Sequence, residues 1–282
     1  MANYRSSNFS LRHRLVSTLS QRMQNLVYTS RQGLTKGMKR KGGLGFIPDS
    51  IFGEPTEEVL FLRNLKLSGL VVYDVGGFQG LMTIFFAKAA SRVITYEANH
   101  TNVVRILENA GLNGQKNVLV RSAAVGSEDG ILTLYCDPLM SGAASGDPEI
   151  AGQITTTGAG ILEWSVAMTS IDADINRFHL PTPDFVKIDI EGMELKALEG
   201  MSETIAEFHP DFYVELHGAT LEHKRANASS VISFLTSRGY SIYGVEQKRL
   251  ITDDTATGRE SHIYCQHPDR SLVKRSSSNS PG

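Results

Sequence analysis

The sequence predicts an α/β protein built on a doubly wound, mostly parallel sheet with helices on both faces. Two observations lead there. Residues 70–97, LVVYDVGGFQGLMTIFFAKAASRVITYE, read as a β-branched apolar strand, a glycine corner, an apolar helix and a second strand that stops on an acid. Further along, apolar runs at 117–121, 184–190, 211–216, 240–245 and 260–265 alternate with helical patterns, as parallel strands joined by helical crossovers do. Ligands of such sheets sit at the carboxyl ends of the strands.

Each residue type of the 70–97 unit has a physical job. Gly76, Gly77 and Gly80 permit positive φ and let a ligand approach the backbone, while the following helix offers unpaired N–H groups. Glu97, at the end of the adjacent strand and followed by Ala98, can accept two hydrogen bonds from the vicinal hydroxyls of a ribose and would reject a phosphate. The spacing is not GxGxxG, and Asp74 stands two residues before the first glycine. An acid there repels a pyrophosphate and attracts a cation such as the α-amino group of a methionine moiety. That preference favours S-adenosylmethionine over NAD.

The remaining elements follow from periodicity and caps. Leu11, Leu15, Leu19, Met23 and Leu26 recur at helical spacing, which predicts an amphipathic helix over 9–28, followed by a basic, glycine-rich loop, TKGMKRKGGLGFIP. Pro55, Thr56, Glu57 and Glu58 start a helix running to about Lys66. Asn99 or Thr101 caps a helix ending near Gly111, and 117–121 is a third strand. The small residues Ser122, Ala123 and Ala124 after it leave room for a flat ring such as adenine. Ile131–Cys136 alternates as an exposed strand whose partner is Leu162–Met168, and the Gly-, Ser- and Ala-rich stretch 137–160 between them reads as an irregular functional insert.

Composition bounds the class. The 282 residues are 41% hydrophobic, ordinary for a soluble globular chain with a sizeable core. Cys136 and Cys265 lack metal or redox spacing, which predicts reduced thiols and a cytoplasmic location. No apolar run reaches the roughly 18 residues of a membrane helix. Residues 1–48 carry nine Lys or Arg and no Asp or Glu, which leaves 19 basic against 30 acidic residues in the rest. Three roles compete for this basic leader: a cap packed on the body, peripheral membrane contact through residues 9–41, or a transit peptide. The predicted organisation is an N-terminal extension (1–54), a catalytic domain (55–268) and a flexible tail (269–282).

Strand alternation places Asp189 and Glu191 on one side and Glu215 and His217 on one side. If the two strands are neighbours, these groups converge beside the glycine corner. Mutual repulsion would lift a carboxylate toward the range of a general base, and His217 is already near that range, so the set could take a proton from a substrate hydroxyl. No metal ligands are assigned, although the same oxygens and imidazole could bind a divalent cation.

With these residues placed, the chain resembles the FkbM family of S-adenosylmethionine-dependent methyltransferases. The resemblance covers Gly69 to His217 and rests on YDVGGFQG, TYEANHTNVVRILENAGLNG, VRSAAVGSEDGILTLYCDPLMSGAAS, TSIDADI, FVKIDIEGMELKALEGM and FYVELH, in that order. It implies a class I methyltransferase fold with a seven-stranded sheet whose last strand is antiparallel. It also implies methyl transfer, usually to a substrate oxygen. Asp74, Gly76 and Gly80 would surround the methionine part of the cofactor, Glu97 would hold the ribose, Ser122 to Ala124 would border the adenine, and Asp189 would lie beside the sulfonium. The family turn commonly reads DVGAN, and Gly77 and Phe78 stand here in place of Ala and Asn.

The catalytic candidates are therefore Asp189, His217 and Glu215, with Ser141 to Ser145 folding over an acceptor that bears a free hydroxyl. Nucleic acid is not an expected partner, because no aromatic residues interleave with the basic leader. Two other classes compete: a non-catalytic S-adenosylmethionine-binding scaffold docked through the leader, and a nucleotide-dependent oxidoreductase, which Asp74 and the missing GxGxxG disfavour.

Overall fold

Strands that are apolar on both faces must be covered on both faces, and this chain does so with two helical layers. The computed structural model describes residues 25–42, 55–137, 140–154, 161–253 and 261–269. In chain order the elements are β1 (Val27–Thr29), β2 (Lys39–Lys41), α1 (Glu57–Asn64), β3 (Val71–Val75), α2 (Leu81–Ala87), β4 (Arg92–Tyr96) and α3 (His100–Leu112). Next come β5 (Val118–Arg121), β6 (Ala124–Val125), β7 (Gly130–Asp137), β8 (Met140–Ser145), α4 (Pro148–Ile154), β9 (Leu162–Thr169) and α5 (Ile171–Phe178). The last are β10 (Phe185–Ile188), α6 (Glu194–Glu199), α7 (Ser202–Phe208), β11 (Asp211–Glu215), α8 (Leu221–Thr236), β12 (Ser241–Gly244), β13 (Arg249–Ile251) and β14 (His262–Gln266).

The main sheet runs β13-β12-β14-β11-β10-β3-β4-β5. The five strands from β11 to β5 are parallel, and β14 is antiparallel to both β11 and β12. The resemblance implies seven strands with the last antiparallel, and the described main sheet has eight. The eighth, β13, folds back on β12 through a turn in which Lys248 has a φ of 53°. On one face Val75, Ile94, Ile188 and Val214 pack against Leu198, Ile205, Val231 and Leu235 of the helices α6, α7 and α8. On the other, Val72, Val93 and Phe185 meet Leu62 of α1 and Phe86 of α2. The order reverses between β3 and β10, and a crevice opens there at the carboxyl ends of the strands.

The second sheet, β6-β9-β7-β8, stands beside that crevice. The antiparallel partnership of Ile131–Cys136 with Leu162–Thr169 is as anticipated. The segment 137–160 is a correction. Instead of an irregular insert, β8 pairs with the free edge of β7 and α4 follows it, while residues 155–160 lie outside the described ones. The helix forms because Asp147 accepts from Glu149 N–H (2.8 Å) and Ile150 N–H (3.2 Å), Pro148 is preset for the first helical position, and Ile150 is fully buried.

The basic leader is also corrected where it is described. Residues 9–24 lie outside the described residues, but Val27 and Tyr28 are strand rather than helix, and the basic loop contributes β2. The reason is a pair of asparagines on α3. Asn109, 1% exposed, accepts from Lys41 N–H (2.7 Å) and donates to Gln79 O (2.8 Å) and Lys41 O (3.3 Å). Asn113 accepts from Lys39 N–H (2.9 Å) and donates to Lys39 O (2.8 Å). Backbone groups of a short ribbon are thereby satisfied by side chains of the body. Among the described residues no helix is long and apolar enough to cross a membrane.

Asn109 thus ties the ribbon to the glycine corner. Asn109→Ala leaves Lys41 N–H and Gln79 O unpaired at once, and it should cost about 2–4 kcal/mol in urea unfolding. Asn113→Ala, at a more exposed pair, should cost less than about 1 kcal/mol.

Candidate active site

The crevice holds a cavity of about 560 Å³ at the ends of β3, β4, β10 and β11, closed on one side by the second sheet and α4. Its floor is a close approach of two turns. Gly76 has a φ of 85°, and a Cβ added there would lie 1.9 Å from Asp189 O. Only glycine lets the end of β3 meet the end of β10 so closely.

Among the cofactor residues anticipated from sequence, Gly76, Glu97, Ala98, Ala123 and Asp189 line the cavity, as do Ala124 and Phe78. Glu97 is held in place by its own neighbours. Its Oε2 accepts from Phe78 N–H and its Oε1 from Asn99 N–H, both at 2.7 Å, and Asn102 donates to the same carboxylate, so three donors fix its orientation. Burial pushes this carboxyl up, the two backbone N–H groups pull against it, and the outcome is a pKa of about 7.

Four anticipated cofactor residues do not reach the cavity. Gly77 and Gly80 serve packing: a Cβ on Gly77 would sit 2.3 Å from Thr95 Cγ2, and one on Gly80 3.1 Å from Ile106 Cα. Ser122 is exposed, off the wall beside Ala123. Asp74 is fully buried beneath α2, where Oδ2 accepts from Thr83 Oγ1 at 2.6 Å. It therefore cannot touch a ligand amino group, and its charge is balanced from inside the protein.

The balancing group, Lys187, was not singled out in the sequence, although one lysine inside the apolar run FVKIDI was the available signal. Its Nζ donates to Asp189 Oδ2 (2.9 Å) and Gly76 O (3.1 Å) and lies 3.7 Å from Asp74 Oδ1. Burial opposes its charge, but Asp189 and Asp74 outweigh burial and hold its pKa above the ordinary lysine value.

The anticipated convergence of acids on His217 is present, because β10 and β11 are neighbours. His217 Nδ1 is 2.8 Å from Glu194 Oε1, and Nε2 is 3.3 Å from Glu215 Oε1, 3.7 Å from Asp189 Oδ1 and 3.8 Å from Glu191 Oε2. Glu194, another residue the sequence did not reveal, is fully buried and also accepts from Gly192 N–H (3.0 Å) and Asn227 Nδ2 (2.7 Å). With carboxylates on both ring nitrogens, the ring satisfies both only as an imidazolium. Burial works against that charge, but Glu191, Glu194 and Glu215 overcome it and place the His217 pKa well above 6.5.

This corrects the role expected of His217, since a ring already protonated at neutral pH is not the base. Glu215 is held well below the ordinary carboxyl value, because its hydrogen bonds and ion pairs with His217 and His262 outweigh burial. Asp189 differs. Burial lifts it, Lys187 and His217 only partly oppose, and it stays above the usual carboxylate value. Asp189, Glu215 and His217 do bring one donor atom each within 4.8 Å of the others. As placed here the three are ion-paired with one another through His217 Nε2.

The residues expected to close over the acceptor are placed in part. Ala144 and Ser145 line the cavity, whereas the side chains of 141–143 lie outside the described ones. Ser145 Oγ donates to Glu191 O (2.7 Å) and accepts from Asp147 N–H (2.9 Å), so it braces the Glu191 turn rather than offering its hydroxyl to a substrate.

With the geometry in hand, comparison with known proteins decides the family. The family model for the methyltransferase FkbM domain matches residues 74–242. The chain belongs to the FkbM methyltransferase family. Comparison with curated proteins returns no match.

Solved structures with a related fold include a methyltransferase FkbM from Methylobacillus flagellatus (19% identity, TM-score 0.48, 79% of this chain and 52% of that one). Two others are a ribosomal-protein methylase from Lactobacillus delbrueckii subsp. bulgaricus (13%, 0.45, 75% and 76%) and a Streptococcus mutans protein crystallised in complex with SAH (10%, 0.43, 73% and 93%). The chain spans about half the length of the Methylobacillus protein.

S-adenosylmethionine is the cofactor of this family, and the corner fits it. The fixed carboxylate of Glu97 would take the ribose hydroxyls, Gly76 exposes backbone at the floor, and Ala98, Ala123 and Ala124 leave a shallow wall for the adenine.

Gly76→Ala tests the floor. A Cβ at φ 85° and 1.9 Å from Asp189 O should cost at least about 3 kcal/mol in denaturant unfolding. S-adenosylmethionine binding should disappear with it.

Proposed function

We propose that this chain transfers a methyl group from S-adenosylmethionine to a hydroxyl oxygen of an uncharged small molecule, sugar or lipid-linked acceptor bound in the 560 Å³ cavity. The observation that carries the proposal is Asp189. Its carboxylate is on the cavity wall at the floor where the cofactor corner meets the acid cluster, and burial raises its proton affinity.

Asp189 would orient the acceptor hydroxyl and take its proton as the oxygen attacks the methyl carbon in line with the departing sulfur. His217 and Lys187 hold the surrounding negative charge in place. Alignment alone can contribute roughly 7–11 kcal/mol to lowering the barrier, and a positioned base adds about 10²- to 10⁴-fold. The acidic and imidazole side chains on the wall are Glu97, Asp189, Glu191, Glu215 and His217, with no Lys or Arg among the lining residues. Such a wall disfavours phosphorylated or carboxylated acceptors.

The first test is equilibrium binding of S-adenosylmethionine, S-adenosylhomocysteine and NAD. Binding of the first two without NAD, lost in Glu97→Ala, supports the proposal; absence of binding supports a degenerate, non-catalytic member of the fold instead.

The pH dependence has a defined sign. Glu97 is protonated below its pKa of about 7 and then offers fewer lone pairs to the ribose. Affinity for S-adenosylmethionine should therefore weaken as pH falls from 8 to 6, by up to about tenfold per unit. Glu97→Gln should bind weakly with no such slope in calorimetry.

Asp189→Asn separates binding from chemistry. On a hydroxylated acceptor it should lower kcat by about 10²-fold or more while S-adenosylmethionine affinity changes less than about threefold. Full turnover in this variant would remove Asp189 from the mechanism.

A further inference from the structure

Behind the cavity wall lies a buried pair with no part in the chemistry so far, His262 on β14 and Glu246 in the turn after β12. His262 stands opposite Glu215 in the antiparallel register of β14 on β11 and is 3% exposed. Its Nδ1 lies 2.5 Å from Glu246 Oε1, and its backbone N–H donates to Glu246 Oε2 at 3.0 Å. Its Nε2 faces Glu215 Oε2 at 3.5 Å and Glu58 Oε1 at 3.9 Å, and its ring stacks on Tyr213 at 5.5 Å. The other oxygen of Glu215 is 3.3 Å from His217 Nε2.

Acid and imidazole therefore alternate along one row: Glu246, His262, Glu215, His217, Glu194. Each ring has carboxylates at both nitrogens, an environment that suits an imidazolium donating in both directions. Glu215, one-third exposed and on the cavity wall, is held from both sides.

We propose that His262, gripped by Glu246, is a positioning residue that pins Glu215 against His217 and away from the acceptor. It acts through Glu215 and does not line the cavity itself. Released from this clamp, a wall carboxylate would be free to turn toward the acceptor and to take up a proton in competition with Asp189. Held between two cations, it stays ionised and fixed, and Asp189 is left as the group that meets the hydroxyl. That consequence rests on the methyltransferase proposal; the clamp does not.

The electrostatics agree. Burial disfavours a charged His262, but Glu215 and Glu246 outweigh it and raise its pKa to about 10. The charged groups facing Glu215 are His217 on its own strand end, His262 from β14, Glu58 from α1, and Lys187, Asp189 and Glu191 from β10 and the turn after it.

The test is an NMR titration of the full chain without cofactor, following the Glu215 carboxyl carbon and the ring nitrogens of His217 and His262. In His262→Gln the Glu215 midpoint should rise by about one pH unit or more, a tenfold gain in proton affinity. In Glu215→Gln, a change at a partly exposed site that keeps the fold testable if His262→Gln unfolds, the His262 midpoint should fall by about one unit or more. Shifts below about 0.3 unit in whichever variants fold would overturn the clamp, since mere packing of a ring leaves a neighbour's titration unmoved. S-adenosylmethionine affinity is read on the same samples. Failure of the wild-type protein to bind the cofactor would sink the methyltransferase proposal and leave the clamp to be judged by the titration alone.

Discussion

One buried ammonium holds the two halves of the site together. Asp74 is the penultimate residue of β3 and β10 ends beside Asp189, and the register that pairs Lys187 with Asp74 places both carboxylates within reach of a single side chain. Two acids at adjoining strand ends would otherwise repel one another in a medium that screens them poorly. Lys187, 4% exposed, also takes the carbonyl of Gly76, so the same group that balances the acids fixes the turn that follows β3. Removing one partner from a buried ion pair typically costs about 3–5 kcal/mol because a charge is left uncompensated. The cost here falls on the cavity floor, since the turn and the acid at its edge share one anchor.

The balance of charge around that anchor explains why carboxylates so close together take different roles. Asp74 is sealed beneath α2 and serves the fold. Glu97 is fixed by two backbone N–H groups at the cofactor end. Glu194 and Glu215 flank the two nitrogens of His217 and, with Glu191, raise its pKa well above the ordinary value against the cost of burial. Asp189 combines a place on the wall beside the acid cluster, Lys187 against one oxygen with His217 farther from the other, and a raised proton affinity. A base is selected by leaving one acid less well paired than its neighbours, which is how environments separate the roles of chemically identical groups.

The fold was legible because its signals are local. Residues 70–97 carry strand, corner, helix and strand within one unit, and the convergence on His217 followed from strand alternation once β10 and β11 were taken as neighbours. What stayed hidden was set by contacts distant in sequence. Lys187 reads as an outlier in FVKIDI until Asp74, 113 residues earlier, is placed beside it. Asp74 itself looked like a ligand for an amino group because one sequence does not show that α2 covers it. β8 has the Gly, Ser and Ala composition of a loop, and it becomes a strand only because β7 presents a free edge. The leader looked like a helix through Tyr28, but asparagines on α3 satisfy the backbone of an extended ribbon instead. The start of α4 was readable in Asp147, Pro148 and Glu149 and was masked by the small residues around it.

The departure of the corner from the family turn follows from the same close packing. A Cβ at Gly77 would lie 2.3 Å from Thr95 Cγ2, so glycine there lets the corner sit close on β4. Phe78 then adopts a φ of 47°, a conformation that asparagine tolerates and a phenylalanine enters at a cost of about 1–2 kcal/mol. Two features bear that cost: Phe78 N–H donates to Glu97, and its ring lies on the cavity wall. The corner thus offers the cavity an apolar surface and a backbone donor that orients the Glu97 carboxylate. Glu191 has the same strain, with a φ of 54°, on the opposite side of the floor, where Ser145 Oγ and Gly192 hold the turn. The strained residues thus flank the point where Gly76 meets Asp189; a hydrogen bond from Phe78 N–H to Glu97 and one from Ser145 of the second sheet to Glu191 O keep them there.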